Sequence, residues 1–140
     1  MSSSPAALAA RIEAPAYAAL RIVTGSMLTV HGLQKIFGLF TENAQPALGS
    51  QLWVGGIIEL VCGALVAVGL FTRPAAFLAS GMMAVAYTQF HWQLRFAGNM
   101  WLPQVNKGEL AVAYCFVFLF IFARGAGVAA LDGLFGKKSS

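Results

Sequence analysis

Charge is what this sequence has least of. Of its 140 residues only 10% are Asp, Glu, Lys or Arg, where a soluble domain carries roughly 25%. The net charge of +4 therefore rests on few side chains. No basic run with interleaved aromatics is present, which excludes a nucleic-acid-binding surface. Cysteine is scarcer still. Cys62 and Cys115 each lie inside an apolar stretch, with no C-x-x-C or haem-attachment spacing, and read as small packed hydrophobes. No zinc-type cluster, nucleophile motif or phosphate loop appears, so neither a metal nor an intrinsic cofactor is expected. The start of the chain lacks the basic residues and short apolar core of a cleaved signal. Arg11 and Glu13 instead precede an apolar run too long for one, and no cleavage is expected.

What the chain has in excess is apolar surface. Hydrophobic residues make up 59%, against roughly 45–50% in an ordinary soluble domain. A chain this short has too little interior to hide them. The excess must face something other than water, and lipid is the simple candidate. One domain is expected at this length.

Four apolar segments follow: Ala16 to Phe40, Leu52 to Phe71, Pro74 to Leu94, and Glu109 to Ala123, the last extendable toward Val128. A crossing takes roughly 20 residues at about 1.5 Å each. The first segment is long and carries Arg21, His31 and Lys35, so hydropathy alone ranks it weakest. The break at Thr72-Arg73-Pro74 is short enough to force adjacent antiparallel helices, with Pro74 suited to a first helical turn. The fold expected is an all-α integral membrane four-helix bundle.

Orientation follows from Lys and Arg. An even number of spans puts both termini on one side, with Arg11, Arg21, Arg73, Arg124, Lys137 and Lys138. The opposite loops offer Arg95 and Lys107, with Lys35 sunk in the first helix. Both termini are therefore expected to be cytoplasmic. Trp53, Trp92 and Trp101 all fall at the outer ends, where an amphipathic ring prefers the headgroup layer. The division is then 1–15 as a cytoplasmic tail, 16–128 as the four-span domain and 129–140 as a second cytoplasmic tail.

A charge within a span is costly and faces the bundle interior or a wet cavity. In the first span Arg21, Gly25, Leu28, Gly32 and Lys35 fall within a narrow stripe at about 100° per residue, with His31 at its edge. In the second, Gly55, Glu59, Gly63 and Ala67 form an every-fourth row, and small residues in such rows let helices approach closely. The third has a similar row, Ala76, Ser80, Ala84 and Thr88. Counted from the outer edge, Lys35 lies about five residues deep and Glu59 about seven, so the two can pair. Glu109, opening the fourth span on the same side, can join them. Arg21 stands apart near the inner surface, where a long side chain can snorkel. Arg73 and Arg124 serve as structural or topology charges. His31 and His91 invite a bis-histidine haem, but counting puts His91 about four to six residues nearer the surface.

These residues carry a resemblance to the DoxX-like family of small four-helix membrane proteins. The first-span pattern is Arg21, Gly25, then His31-Gly32-Leu33-Gln34-Lys35-Ile36-Phe37-Gly38. The second is Gly56-Ile57-Ile58-Glu59-Leu60-Val61-Cys62-Gly63, followed by Gly69-Leu70-Phe71-Thr72-Arg73. Lys107-Gly108-Glu109 resembles the Gly-Gly-Glu that often opens the last span, with Lys107 where a glycine is common. Some relatives are subunits of thiosulfate:quinone oxidoreductase, and others associate with membrane thiol or oxidant defence. The resemblance implies a component of a quinone- or thiol-linked redox system in a bacterial-type inner membrane, and leaves open whether the chain is itself an enzyme. His31, Lys35, Glu59 and Glu109 would line a polar pocket for a quinone, with a partner protein supplying electrons. The alternative is a non-enzymatic scaffold or accessory subunit whose charges set helix register.

Overall fold

The computed structural model describes residues 4–135; Lys137 and Lys138, used above as topology markers, lie outside them. The described chain is all helical: α1 (Pro5–Phe37), α2 (Gln51–Val68), α3 (Thr72–Ala86) continuing into a π-helical turn (Tyr87–Trp92), a 3-10 turn (Ala97–Asn99), α4 (Pro103–Asn106), α5 (Glu109–Arg124) and α6 (Asp132–Phe135). Ser4 caps α1, its hydroxyl accepting from the Ala7 amide at 3.3 Å, with Pro5 at the first helical position. Helix therefore begins within the segment assigned to an N-terminal tail. Gly38 and Gly69 close α1 and α2 at φ 66° and 71°, the left-handed conformation that glycine adopts without penalty.

The four long helices form two antiparallel hairpins, α1 with α2 and α3 with α5. The stripe read on α1 is the one that packs: Arg21, Gly25, Leu28 and Gly32 are buried. On α2 the buried face is Gly56, Glu59, Cys62, Gly63 and Val66, so Glu59 and Gly63 of the row read above lie on it, while Gly55 and Ala67 at its ends are only half-buried. On α3, Ala75, Ala76, Ala79, Ser80 and Met83 face inward, and α5 contributes Ala111, Tyr114, Phe118 and Ile121. The Ser80 hydroxyl donates to the Cys115 carbonyl at 2.8 Å, tying α3 to α5.

Around this core the surface is apolar. Val23 and Met27 on α1, Val61 on α2, Phe77 and Leu78 on α3, and Phe116 and Phe120 on α5 are all exposed. By length and composition, Gln51–Val68 is long and apolar enough to cross a membrane. α5 has 16 residues, and α3 has 15 before its π-helical turn.

The α1–α2 contact is made backbone to backbone. A Cβ on Gly25 would lie 2.6 Å from the Ala67 amide nitrogen, and one on Gly63 would lie 2.6 Å from that of Thr29. Neither neighbour is a flexible side chain that can yield. Gly63→Leu should therefore pry the hairpin open, at a cost of about 1–3 kcal/mol for overpacking. Thermal unfolding of the purified protein in detergent measures this, and an unshifted midpoint would mean the helices do not touch at Gly63.

Candidate functional site

The close hairpin sets the position of its two outer charges. Lys35 and Gly56 meet so closely that a Cβ on Gly56 would lie 2.9 Å from the lysine Cβ. From there the lysine Nζ donates to Glu59 Oε1 at 2.6 Å. The partners differ in exposure: 31% for the Lys35 side chain and 4% for that of Glu59. The second carboxylate oxygen, Glu59 Oε2, is buried without a hydrogen-bond partner, and so is the Tyr114 hydroxyl. Leaving a buried polar group unpaired costs about 1–3 kcal/mol, more if it is charged, so such atoms call for an explanation.

Glu59 and Tyr114 both line one cavity of about 270 Å³ between the hairpins. Its wall is built by His31 and Lys35 from α1, Glu59 from α2, Met83 and Ala86 from α3, His91 from the π-helical turn, Lys107, and Leu110, Ala111 and Tyr114 from α5. His31 stands edge-on to the Tyr114 ring at a centroid distance of 6.4 Å. His91 Nδ1 donates to the Asn106 carbonyl at 3.3 Å. A carbonyl can only accept, so in the neutral ring the proton sits on Nδ1 and Nε2 keeps its lone pair. Cation, carboxylate, phenol and two imidazoles thus share a single space, a set able to donate to a carbonyl oxygen and to hold or move protons.

Of the four residues expected to form a polar pocket, His31, Lys35 and Glu59 are brought together. Glu109 is not. As the first residue of α5 it is exposed, and it lies about 200° round the helix from the cavity-facing Ala111. Its carboxylate instead sits at the positive end of the helix dipole. His91, set aside above by residue counting, does join the cavity. It does so from the π-helical stretch Tyr87–Trp92, with the wider i→i+5 turn often found at functional sites.

Tyr114 and Asn106 were missed by sequence reasoning. Tyr114 left a signal, being the one phenol within the apolar run of α5. Asn106 left only its loop position. It is buried, donates to the Tyr87 hydroxyl and to the Met100 carbonyl at 3.2 and 2.9 Å, and accepts from the Gly108 amide at 2.8 Å. Lys107 beside it has φ 61°, in the left-handed region that disfavours a side chain.

A DoxX family profile matches residues 16–92, the stretch that carries Lys35, Glu59 and His91. The chain belongs to the DoxX family. A Haemophilus influenzae protein, itself described as uncharacterized, is 43% identical over 122 residues, covering 85% of this chain and 90% of its own length. No solved structure matches. Family membership and the apolar exterior together support a membrane protein.

In this DoxX chain Arg21, Arg73 and Arg124 make their contacts away from the cavity. Arg21 does not snorkel: its exposure is 0%. Nη1 donates to the Val66 and Ala67 carbonyls at 2.7 and 2.9 Å, and Nη2 to those of Ala129 and Val128 at 2.6 and 3.4 Å. The guanidinium thus caps the C-terminus of α2 and ties down the segment after α5. Arg73 does the same for α5, donating to Phe122 and Ala123 at 2.7 and 2.8 Å and to Arg124 at 3.3 Å. Arg124 pairs with Glu13 at 2.8 Å and lies 4.4 Å over the Tyr17 ring.

Residues 129–135, assigned above to a C-terminal tail, return to the bundle. The Asp132 amide donates to the Gly69 carbonyl at 2.8 Å, and its carboxylate accepts from the Phe71 and Thr72 amides at 2.8 and 3.0 Å. Burial pushes that carboxyl up, but the hydrogen bonds from Thr72 and Phe71 and the nearby Arg21 charge outweigh it and hold it below its ordinary value. A carboxyl depressed in the folded state adds stability above its unfolded pKa of about 3.9 and loses it as pH falls through the folded value. Wild type should therefore melt above Asp132→Ala at neutral pH, with the gap closing on acidification below about pH 4. Melting curves of both proteins across that range test this, and a gap that ignores pH would refute the charge-based cap.

Proposed function

We propose that this DoxX protein is a four-helix protein of a bacterial-type inner membrane, with both termini cytoplasmic. Its cavity would bind the head of a quinone within a membrane redox system. Several features support the membrane arrangement. At about 1.5 Å per residue, the 18 residues of α2 span about 27 Å and the 16 of α5 about 24 Å, close to a hydrocarbon core of about 30 Å. Arg21, Arg73 and Arg124 cluster at one end of the bundle, as the positive-inside rule asks of a cytoplasmic face. Trp53, Trp92 and Trp101 lie toward the other, on the first turn of α2, the π-helical turn and the following loop.

The observation that carries the ligand reading is Glu59. Its buried carboxylate spends one oxygen on Lys35 and has no partner for the other, in a residue that lines the cavity together with Tyr114, whose hydroxyl is also unpaired. A quinone fits such a wall, since its carbonyls accept from Lys35, Tyr114 or a histidine while Glu59 handles protons. Electrons would come from a partner protein. A thiol-based reaction is less well supported, because neither Cys62 nor Cys115 lines the cavity. Glu59→Gln keeps the shape and removes the charge. Protein extracted in mild detergent should carry quinone near one per chain, falling at least severalfold in the variant. Background quinone in both proteins would overturn the reading.

A scaffold role has its own supporting observation, the tight Gly56–Lys35 packing that makes the ion pair part of the hairpin contact. The two single variants should differ. Lys35→Met strands a carboxylate that is 4% exposed, whereas after Glu59→Leu the lysine, 31% exposed, can reach outward. Removing one partner of a buried pair costs about 3–5 kcal/mol, and replacing both with apolar residues is often neutral. Lys35→Met should therefore destabilise most, Glu59→Leu less, and the double variant least, by melting in detergent. Full redox function of the host complex with the double variant would favour the scaffold.

A further inference from the structure

A second cavity, of about 380 Å³, runs along the outer half of the α2–α3 interface. Its walls are apolar, with Leu52, Val54 and Ile58 on one side and Phe77, Leu78 and Val85 on the other. At its outer end the Gln51 side-chain amide donates to that of Gln89. Lys35 and Ala86 line both this groove and the polar cavity, so the two spaces share a wall.

Two glycines line the groove, Gly55 on α2 and Gly81 on α3. They differ in kind from the glycines of the α1–α2 hairpin, where backbone leaves no room for a Cβ. A Cβ on Gly55 would come no nearer than 3.8 Å to any atom outside its own helix, at Met82 Sδ, and one on Gly81 would meet nothing within 4 Å. Glycine inside a helix is less favourable than alanine, and neither position needs it for packing or for backbone conformation. What it does at both is keep the groove open.

We propose that the groove holds the apolar chain of the ligand whose head occupies the polar cavity. This rests on the quinone reading and refines it. The ligand class is a lipid-soluble carbonyl compound bearing a long hydrocarbon or isoprenoid chain, which enters sideways from the bilayer between α2 and α3. Its head passes Lys35 and Ala86 into the cavity while its chain stays behind in the groove. Because lipid is as apolar as the groove, the chain gains van der Waals contact and orientation rather than hydrophobic transfer, and its contribution is modest.

The test uses the full-length protein in lipid nanodiscs and two probes, a benzoquinone ring with no chain and the same ring with a decyl chain. Dissociation constants are referred to concentration within the bilayer. In wild type the chain should tighten binding about tenfold. Gly81→Leu should remove that gain and leave binding of the bare ring unchanged. Gly81→Ala, which adds a single methyl to the same space, should retain part of the gain, and melting curves matching wild type keep the comparison free of folding effects. Equal binding of both probes to wild type, or a gain that survives Gly81→Leu, overturns the groove and leaves the head pocket standing. Decyl alcohol displacing the decyl quinone without displacing the bare ring makes the groove a general site for lipid chains and also overturns the proposal. Binding of neither probe overturns the head pocket and the groove together.

Discussion

The approach of α1 to α2 through glycine governs the rest of this structure. Gly25 against the backbone at Ala67, Gly63 against that at Thr29, and Gly56 under Lys35 set the axial register of the two helices. A side chain at any of these positions would separate the helices. Once register is set, the Lys35–Glu59 distance is no longer free, and a 2.6 Å ion pair follows. The pair does not drive hairpin formation on this reasoning, since a buried ion pair roughly balances its attraction against desolvation. The hairpin brings the charges together, and the charges then penalise any slip in register.

The inner end is held by a different device used twice. An arginine on the first helix of each hairpin reaches the last carbonyls of the second: Arg21 those of α2, Arg73 those of α5. Charge-assisted hydrogen bonds of this kind are worth about 1.5–3 kcal/mol each, and they satisfy groups that a helix terminus would otherwise leave bare. The two hairpins thus run in the same sense, fastened alike at the end with the arginines, and the cavity lies between them toward the other. Placing the site where two like halves meet lets both line it, with His31, Lys35 and Glu59 from one and His91, Lys107 and Tyr114 from the other.

Much of this was legible in the sequence because it depends on helical spacing. The stripe from Arg21 to Lys35 repeats every three to four residues, so periodicity alone fixes its face, and matching depth on antiparallel neighbours suffices to pair Lys35 with Glu59. What was not legible depends on departures from regular geometry or on contacts distant in the chain. Arg21 reads as a surface charge until the carbonyls of Val128 and Ala129 come into view, more than a hundred residues away. His91 joins the cavity wall from a π-helical turn, which residue spacing does not reveal. Glu109 is misplaced because position along an axis says nothing about direction around it. Gly55 was placed on the helix-packing face for a related reason: small residues signal close approach, and sequence cannot distinguish a glycine pressed against backbone from one facing open space.

Irregular backbone is found at both ends of the bundle, and the stretch of it at the outer rim bears on function. Gln93, Leu94, Asn99 and Lys107 all adopt positive φ without being glycine, next to the π-helical turn that carries His91. Such conformations cost of order 1–3 kcal/mol each and persist only where the surroundings over-determine them. Here Asn106 supplies that support. Its side chain ties together Tyr87, Met100 and Gly108, and its carbonyl accepts from His91. A regular helix and a relaxed loop would satisfy the same backbone groups at lower cost, but they would not turn His91 toward the cavity while Lys107 stands at its edge. Left-handed backbone also occurs at Phe71 and Ala129, at the other end of the bundle, but strain beside the polar wall, braced by one buried asparagine, argues that the position of His91 is maintained against a local energetic preference. A scaffold needing only the Lys35–Glu59 pair for register has no use for that arrangement, which adds to the case that the unpaired oxygen of Glu59 makes for a ligand in the cavity.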